Sequence, residues 1–141
     1  VIDYYNKENK KTILLCTQST NDNFGIAKSL THDQIRKLVN SLRKLGFYVF
    51  TIHDQKQAIY DELGVEQFTG IQPLAWIATV SLADCIISID TATFHIAGGL
   101  KKPLVGIFSF TDGKVYGKYY DFILVQKHRD NGDWDCGPCF N

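Results

Sequence analysis

IISIDTATFHIAGGLKKPL, residues Ile86 to Leu104, joins a strand, a polar turn, a helix and the start of a second strand in one segment. Ile86, Ile87 and Ile89 form a short β-branched run bounded by polar neighbours, the pattern of a buried parallel strand. Asp90 stands where that strand ends. Thr91 to Thr93 are short and polar, and either threonine can cap a helix through Phe94, Ile96, Ala97 and Leu100, with His95 in its first turn. Gly98 and Gly99 are followed by Lys101, Lys102 and Pro103, a basic last turn and a stop, and then by the apolar run Leu104 to Phe108.

A turn of this kind brings backbone N–H groups, threonine hydroxyls and an imidazole to the carboxyl edge of a sheet, where open α/β folds hold their ligands. Anions suit such a place, because the first N–H groups of a helix lack internal partners and the dipole adds roughly 0.3–1 kcal/mol per well-placed anionic group. The same residues also fit a plainer account. Asp90 and Thr91 can simply cap the helix, with His95 a satisfied turn histidine.

Working outward, 141 residues with 45% hydrophobic side chains are enough for one domain with a real core. Formal net charge is zero, which gives no electrostatic basis for a nucleic-acid partner. No apolar run approaches the roughly 20 residues of a membrane span, and no signal peptide opens the chain, so a soluble domain is expected. The chain starts at Val1 without an initiating methionine, as a fragment of a longer protein would. Of four cysteines, Cys16 and Cys85 fall inside expected strands and read as core residues.

Val1 to Lys11 is a polar, lysine-rich lead-in, and TILLC, Thr12 to Cys16, is a first buried strand. Thr17 to Lys28 has the composition of a loop at a strand end. Its hydroxyls, including Ser19 and Thr20, its amides and Lys28 can face a ligand or simply solvent. Thr31, with Gln34 three residues on, opens a helix whose stripe is Ile35, Leu38, Val39, Leu42 and Leu45, and Gly46 ends it. Phe47 to Ile52 is the second strand, which makes a right-handed crossover unit.

Asp54 to Leu63 reads as a helix ending near Gly64, and Phe68 to Gly70 as a brief third strand and turn. Pro73 starts a helix with Leu74, Ile77, Ala78 and Leu82 on one face, and Trp76 is expected to pack. Ser109 to Gly117 is a polar loop at the carboxyl edge, Phe122 to Val125 a last strand, and the tail to Asn141 contains CGPC. About six strands alternating with helices predict an α/β fold, a Rossmann-like, doubly wound parallel sheet. No Gly-x-Gly-x-x-Gly follows the first strand and no Gly-Lys-Ser/Thr loop occurs, so neither a standard dinucleotide site nor a P-loop is supported.

LADCIISIDTATFHIAGGLKKPLVGIFSFTDG, Leu82 to Gly113, resembles the signature of glycosyltransferase family 9, the ADP-heptose:lipopolysaccharide heptosyltransferases and their relatives. That pattern has an alanine-aspartate pair, an apolar strand, Asp-Thr-Gly, a histidine, an alanine-rich helix, Lys-Pro, and a strand ending in Phe-Gly-Pro-Thr-Asp. The matching positions are Ala83 and Asp84, Asp90 and Thr91, His95 and Ala97, Lys102 and Pro103, then Phe108, Thr111 and Asp112. Phe68, Thr69 and Gly70 also fit, as does the tail CGPCF. The resemblance extends over nearly the whole chain. There are differences: Ala92 replaces a glycine, Ser109 and Phe110 replace Gly-Pro, and the family's ribose-binding glutamate has only Asp54 and Gln55 as nearest candidates.

The resemblance implies the carboxyl-terminal, donor-gripping half of a GT-B enzyme, two Rossmann-like halves with the reaction in the cleft between them. The amino-terminal acceptor half with its acidic base would be absent, so this chain is expected to bind without turnover. The donor would be a nucleoside diphosphate sugar of the ADP-heptose type, and the acceptor a glycan or lipid-linked molecule such as lipopolysaccharide. Donor-binding positions would be Asp90, Thr91, Ala92, Thr93, His95, Ser19, Thr20, Thr111 and Asp112. His95, Thr91 and Lys28 would stabilise the leaving diphosphate with neither metal nor cofactor. Asp90, an acceptor-only carboxylate, would orient Thr91, the turn or a sugar hydroxyl. The expected place is the cytoplasm or the inner face of its membrane.

Two rival functions come from other classes. A binding-only nucleotide-sugar module shares every feature above. A thiol–disulfide oxidoreductase is suggested by Cys136-Gly-Pro-Cys139 near Trp134, but only Phe140 and Asn141 follow, too little for the long helix that lowers the first thiol's pKa in that fold.

Overall fold

The computed structural model describes residues 10–19, 23–109 and 111–126. Thr20, Phe110 and the tail with Trp134, Cys136 and Cys139 lie outside the described residues. In chain order the elements are β1 (Thr12–Cys16), α1 (Asn23–Lys28), α2 (His32–Lys44), β2 (Tyr48–His53), α3 (Ala58–Glu62) and β3 (Glu66–Thr69), followed by α4 (Pro73–Leu82), β4 (Cys85–Ile89), α5 (Ala92–Gly99), β5 (Leu104–Phe108), α6 (Gly113–Tyr116) and β6 (Ile123–Gln126). The strands form one six-stranded sheet in the order β3-β2-β1-β4-β5-β6, every adjacent pair parallel. This is the doubly wound sheet that the alternation predicts.

Alternate residues of the central strands feed two cores. Ile13 and Leu15 of β1 and Val49 of β2 meet Ile35, Val39 and Leu42 of α2 and Ile59 and Tyr60 of α3. On the other face Leu14, Phe50, Ile52 and Ile86 meet Val80 and Ala83 at the end of α4 and Phe94 and Ala97 of α5. Each fully buried large apolar side chain contributes roughly 1.5–3 kcal/mol. Because both faces of β1 are covered, its whole run is apolar apart from Thr12.

Caps fix the helix limits. The Gln34 amide N–H donates to Thr31 Oγ1 at 3.3 Å while the Thr31 N–H donates to Gln34 Oε1 at 2.9 Å, a reciprocal box at the start of α2. At its end Gly46 (φ 88°) turns the chain, with Phe47 N–H bonded to Leu42 O and Gly46 N–H to Arg43 O.

Four expectations are corrected. Asn23–Lys28 is a helix inside the segment read as loop, and Gly113–Tyr116 is a short helix in the second loop. The helix expected from Asp54 begins only at Ala58. On α4 the face that turns inward is Trp76, Thr79 and Val80, while Leu74, Ile77, Ala78 and Leu82 are exposed. This helix is apolar almost all round, so periodicity does not identify its inner face.

Asp84 ties the start of β1 to the entry of β4: its Oδ2 accepts from Thr12 N–H at 2.8 Å and Thr12 Oγ1 at 2.9 Å, and Oδ1 from Lys11 Nζ at 3.0 Å. The Thr12 N–H and the other donors hold its carboxyl below the ordinary range. Behind α5, Phe94 meets Phe108 and Phe122 edge-on, each at 5.1 Å between ring centroids, and Tyr120 at 5.8 Å. A Cβ on Gly98 would stand 2.4 Å from the Tyr120 ring, so only glycine fits there. A buried polar chain runs along the end of β2. Thr51 Oγ1 donates to Leu15 O at 2.6 Å and lies 2.8 Å from His53 Nε2; His53 stacks on Tyr60, whose hydroxyl bonds Thr17. Burial drives the His53 pKa down to about 4.

Gly98→Ala should lower the urea midpoint by the equivalent of about 1–3 kcal/mol through overpacking against Tyr120. An unchanged midpoint would show that the aromatic cluster yields freely. For pH, an unfolded His53 takes up a proton near 6.5 and the folded one only near 4, so stability is lost as pH falls through that window, on the order of 3 kcal/mol in total. Asp84 adds a second loss below 3.8, as its folded carboxylate is protonated. Thermal melts from pH 7 to 3 should show the upper step vanish in His53→Phe while the lower persists.

Candidate functional site

In this strand order the chain leaves β1 toward β2 but leaves β4 toward β5, so a crevice opens between the carboxyl ends of β1 and β4. Asp90 follows β4 directly. Its carboxylate is nearly closed to solvent, with 7% of the side chain exposed, and is surrounded by donors. Oδ2 accepts from Lys28 Nζ at 2.8 Å and from Thr111 Oγ1 at 3.0 Å, and Oδ1 lies 3.4 Å from His95 Nε2. Lys28 comes from the end of α1, Thr111 from the stretch after β5 and His95 from the first turn of α5. The imidazole is half-exposed, and its Nδ1 stands 3.4 Å from the Tyr120 hydroxyl. Three of the residues expected from sequence, Lys28, His95 and Thr111, thus meet around the carboxylate of a fourth, and Asp90 binds side chains rather than the turn itself.

Thr91 occupies the N-cap position of α5 with extended backbone, but its hydroxyl does not cap. It lies 3.1 Å from Ser88 Oγ and 3.8 Å from Cys16 Sγ. The N–H groups of Ala92 and Thr93 are left without a partner among the described residues.

Next to Thr91 is a cavity of about 410 Å³. Cys16, Gln18 and Ser19 bound it from the end of β1, and Ile52, His53, Asp54, Gln55 and Gln57 from the end of β2 and the loop after it. Trp76 of α4 and Thr91 and Ala92 of α5 close the remaining wall. Ser19, Thr91 and Ala92 are therefore cavity residues, and Asp54 and Gln55, the nearest candidates for the ribose contact, border the same space. The amide oxygen of Gln18 is sealed from water with no hydrogen-bond partner among the described residues. Burial pushes the Cys16 thiol pKa up, so this wall carries no reactive thiolate.

Two sequence-nominated side chains serve the scaffold instead. Thr93 is fully buried and accepts from Trp76 Nε1–H at 3.0 Å; Asp112 caps α6 by accepting from Lys114 N–H at 2.8 Å. Trp76 both packs, as expected, and borders the cavity. Gln18 is one of the loop amides expected to face a ligand, whereas Cys16, His53 and Gln57 carry no motif and join the wall visibly only once β1 and β2 are known to be neighbours. Among the described residues no group of three or more His, Cys, Asp or Glu is placed to hold a metal ion, and no helix is long and apolar enough to cross a membrane.

Solved structures share this fold. E. coli ADP-heptose lipopolysaccharide heptosyltransferase II superimposes with a TM-score of 0.72 at 17% identity, over 93% of this chain and 42% of that one. E. coli heptosyltransferase WaaC, solved with ADP, gives 0.71 at 13% over 90% and 42%. A glycosyl transferase family 9 protein of Veillonella parvula DSM 2008 gives 0.72 at 13% over 89% and 37%. The chain thus spans about two fifths of the length of these relatives. TibC, described as an iron-containing dodecameric heptosyltransferase, matches at a TM-score of 0.63 in complex with ADP-D-beta-D-heptose. No curated protein matches the sequence. The family model described as glycosyltransferase family 9 (heptosyltransferase) matches residues 2–130, and on that match the chain belongs to glycosyltransferase family 9.

Proposed function

We propose that this chain is the donor-binding part of a glycosyltransferase, taking a nucleoside diphosphate sugar of the ADP-heptose type. The observation that carries this is the joint at Thr91. There a cavity of nucleoside size meets unpartnered helix amides and the Lys28–Asp90–His95 cluster, in one crevice. The nucleoside would occupy the cavity over β1 and β2, and the diphosphate would lie along the start of α5. ADP and ADP-D-beta-D-heptose, bound by two of the structural relatives, supply the ligand class.

In transfer, the bond between the sugar's anomeric carbon and the diphosphate oxygen breaks as an acceptor hydroxyl attacks that carbon. Negative charge gathers on the departing diphosphate, and preorganised donors lower the barrier where it gathers. The amides of Ala92 and Thr93, the Thr91 hydroxyl, Lys28 and His95 are such donors. Asp90 cannot donate, so its part is to hold Lys28 and His95 in place. The acceptor hydroxyl and the base that takes its proton would come from outside this chain, with lipopolysaccharide or another glycan as acceptor. Such a protein would work in the cytoplasm or at the inner face of the membrane. The chain alone would bind donor without turning it over.

Calorimetric titration with ADP, UDP and GDP tests this. ADP should bind, and Lys28→Ala, His95→Ala and Thr91→Ala should each weaken it by about tenfold or more, the loss expected for a charge-assisted hydrogen bond. Unchanged ADP affinity in all three variants would remove the site assignment, and a preference for UDP or GDP would redirect the donor class. Asp90→Ala should behave differently, lowering fold stability by about 3 kcal/mol because Lys28 loses its buried counter-charge. Denaturant titration of that variant reads this directly.

A further inference from the structure

The polar chain at the end of β2 fixes more than stability. A hydroxyl has one proton, and that of Thr51 goes to Leu15 O at 2.6 Å. Toward His53 Nε2, 2.8 Å away, Thr51 Oγ1 is therefore an acceptor, and Nε2 must carry the hydrogen. In the neutral ring Nδ1 is then a bare lone pair. That nitrogen makes no hydrogen bond among the described residues, and the ring is part of the cavity wall. Stacking on Tyr60, 5.4 Å away and itself anchored to Thr17, keeps the imidazole from turning.

Covering the bare Nδ1 without a donor would cost about 1–3 kcal/mol, and a ligand bringing a donor avoids that cost. A bare acceptor on this wall favours a ligand edge that carries a donor. We propose that His53 is a specificity-determining residue of the cavity, its Nδ1 accepting a hydrogen bond from a hydroxyl or amino group on the nucleoside part of the ligand. This rests on the nucleotide-binding function proposed above, but uses a residue outside the Lys28–Asp90–His95 cluster.

Two sources of the donor, ribose and base, are separated by titrating the chain with ADP, 2′-deoxy-ADP, 3′-deoxy-ADP and IDP. One analogue should bind about tenfold more weakly than ADP, as expected when a buried acceptor is left unpaired. His53→Phe, which keeps the ring on Tyr60, should bind ADP about as weakly and no longer discriminate. Histidine ¹⁵N NMR of the unsubstituted chain supplies a readout that needs no variant: Nε2 protonated, Nδ1 bare, and the Nδ1 resonance shifting when ADP is added. Discrimination that survives His53→Phe, a protonated Nδ1, or an Nδ1 resonance unmoved by bound ADP would overturn the assignment. If ADP binds and His95→Ala weakens it while His53→Phe does not, only the role of His53 falls; if no nucleotide binds, both fall.

Discussion

One carboxylate, that of Asp90, holds this end of the molecule together. Taking a charge out of water costs several kcal/mol unless donors replace the water, and here Lys28, Thr111 and His95 do so from three separate segments. The interaction therefore fixes where α1 ends, how the chain runs after β5 and which way the first turn of α5 faces. Ser109 adds a second tie between the same segments, its hydroxyl donating to Ala27 O at 2.8 Å. Lys28 and His95 beside the crevice owe their positions to an anion that itself offers a ligand nothing to donate.

The crevice divides into two chemistries that meet at Thr91. Over β1 and β2 the walls are mostly neutral, with a histidine kept uncharged by burial and the indole of Trp76, and Asp54 as their one charged side chain among the described residues. Over β4 and β5 they carry the Lys28–Asp90 ion pair. A nucleoside diphosphate has the same asymmetry, with a flat neutral end and an anionic one. The strand order produces the division, because only at a switch point do ends of strands serving opposite faces lie side by side.

Much of the fold is legible in local sequence, and the exceptions have physical reasons. Ile86 to Leu104 encodes strand, turn and helix through features that act locally: a β-branched run, small polar residues and a proline stop. The box at Thr31 and the turn at Gly46 are equally local. Asn23–Lys28 was not legible, since Gly25 disfavours a helix and this one is held by long-range bonds from Lys28 to Asp90 and Ser109 to Ala27. Nor does α4 reveal its inner face, being apolar on nearly every side. In the site, Asp90, Thr91 and His95 follow from motif and turn logic. His53 does not, because its significance lies in a pairing of strands far apart in sequence. Thr93 and Asp112 show the converse limit: they match a motif, yet their side chains serve packing and capping.

Thr91 is the place where local rule and structure part most clearly. A threonine at the N-cap ordinarily turns its hydroxyl onto the second or third amide of its helix, and forgoing that bond costs about 1 kcal/mol. Here the hydroxyl turns to Ser88 and Cys16 instead, and the amides of Ala92 and Thr93 stay unmet beside a cavity. Had the cap formed, the threonine oxygen would sit where an anion must come to reach those amides. The uncapped start of α5 thus gives up local stability and keeps an anion-attracting position open, the kind of local inconsistency that proteins retain at functional sites. The backbone of Ala92, an exposed residue of the cavity wall, is ordinary helix rather than left-handed, so no glycine is required there for conformation.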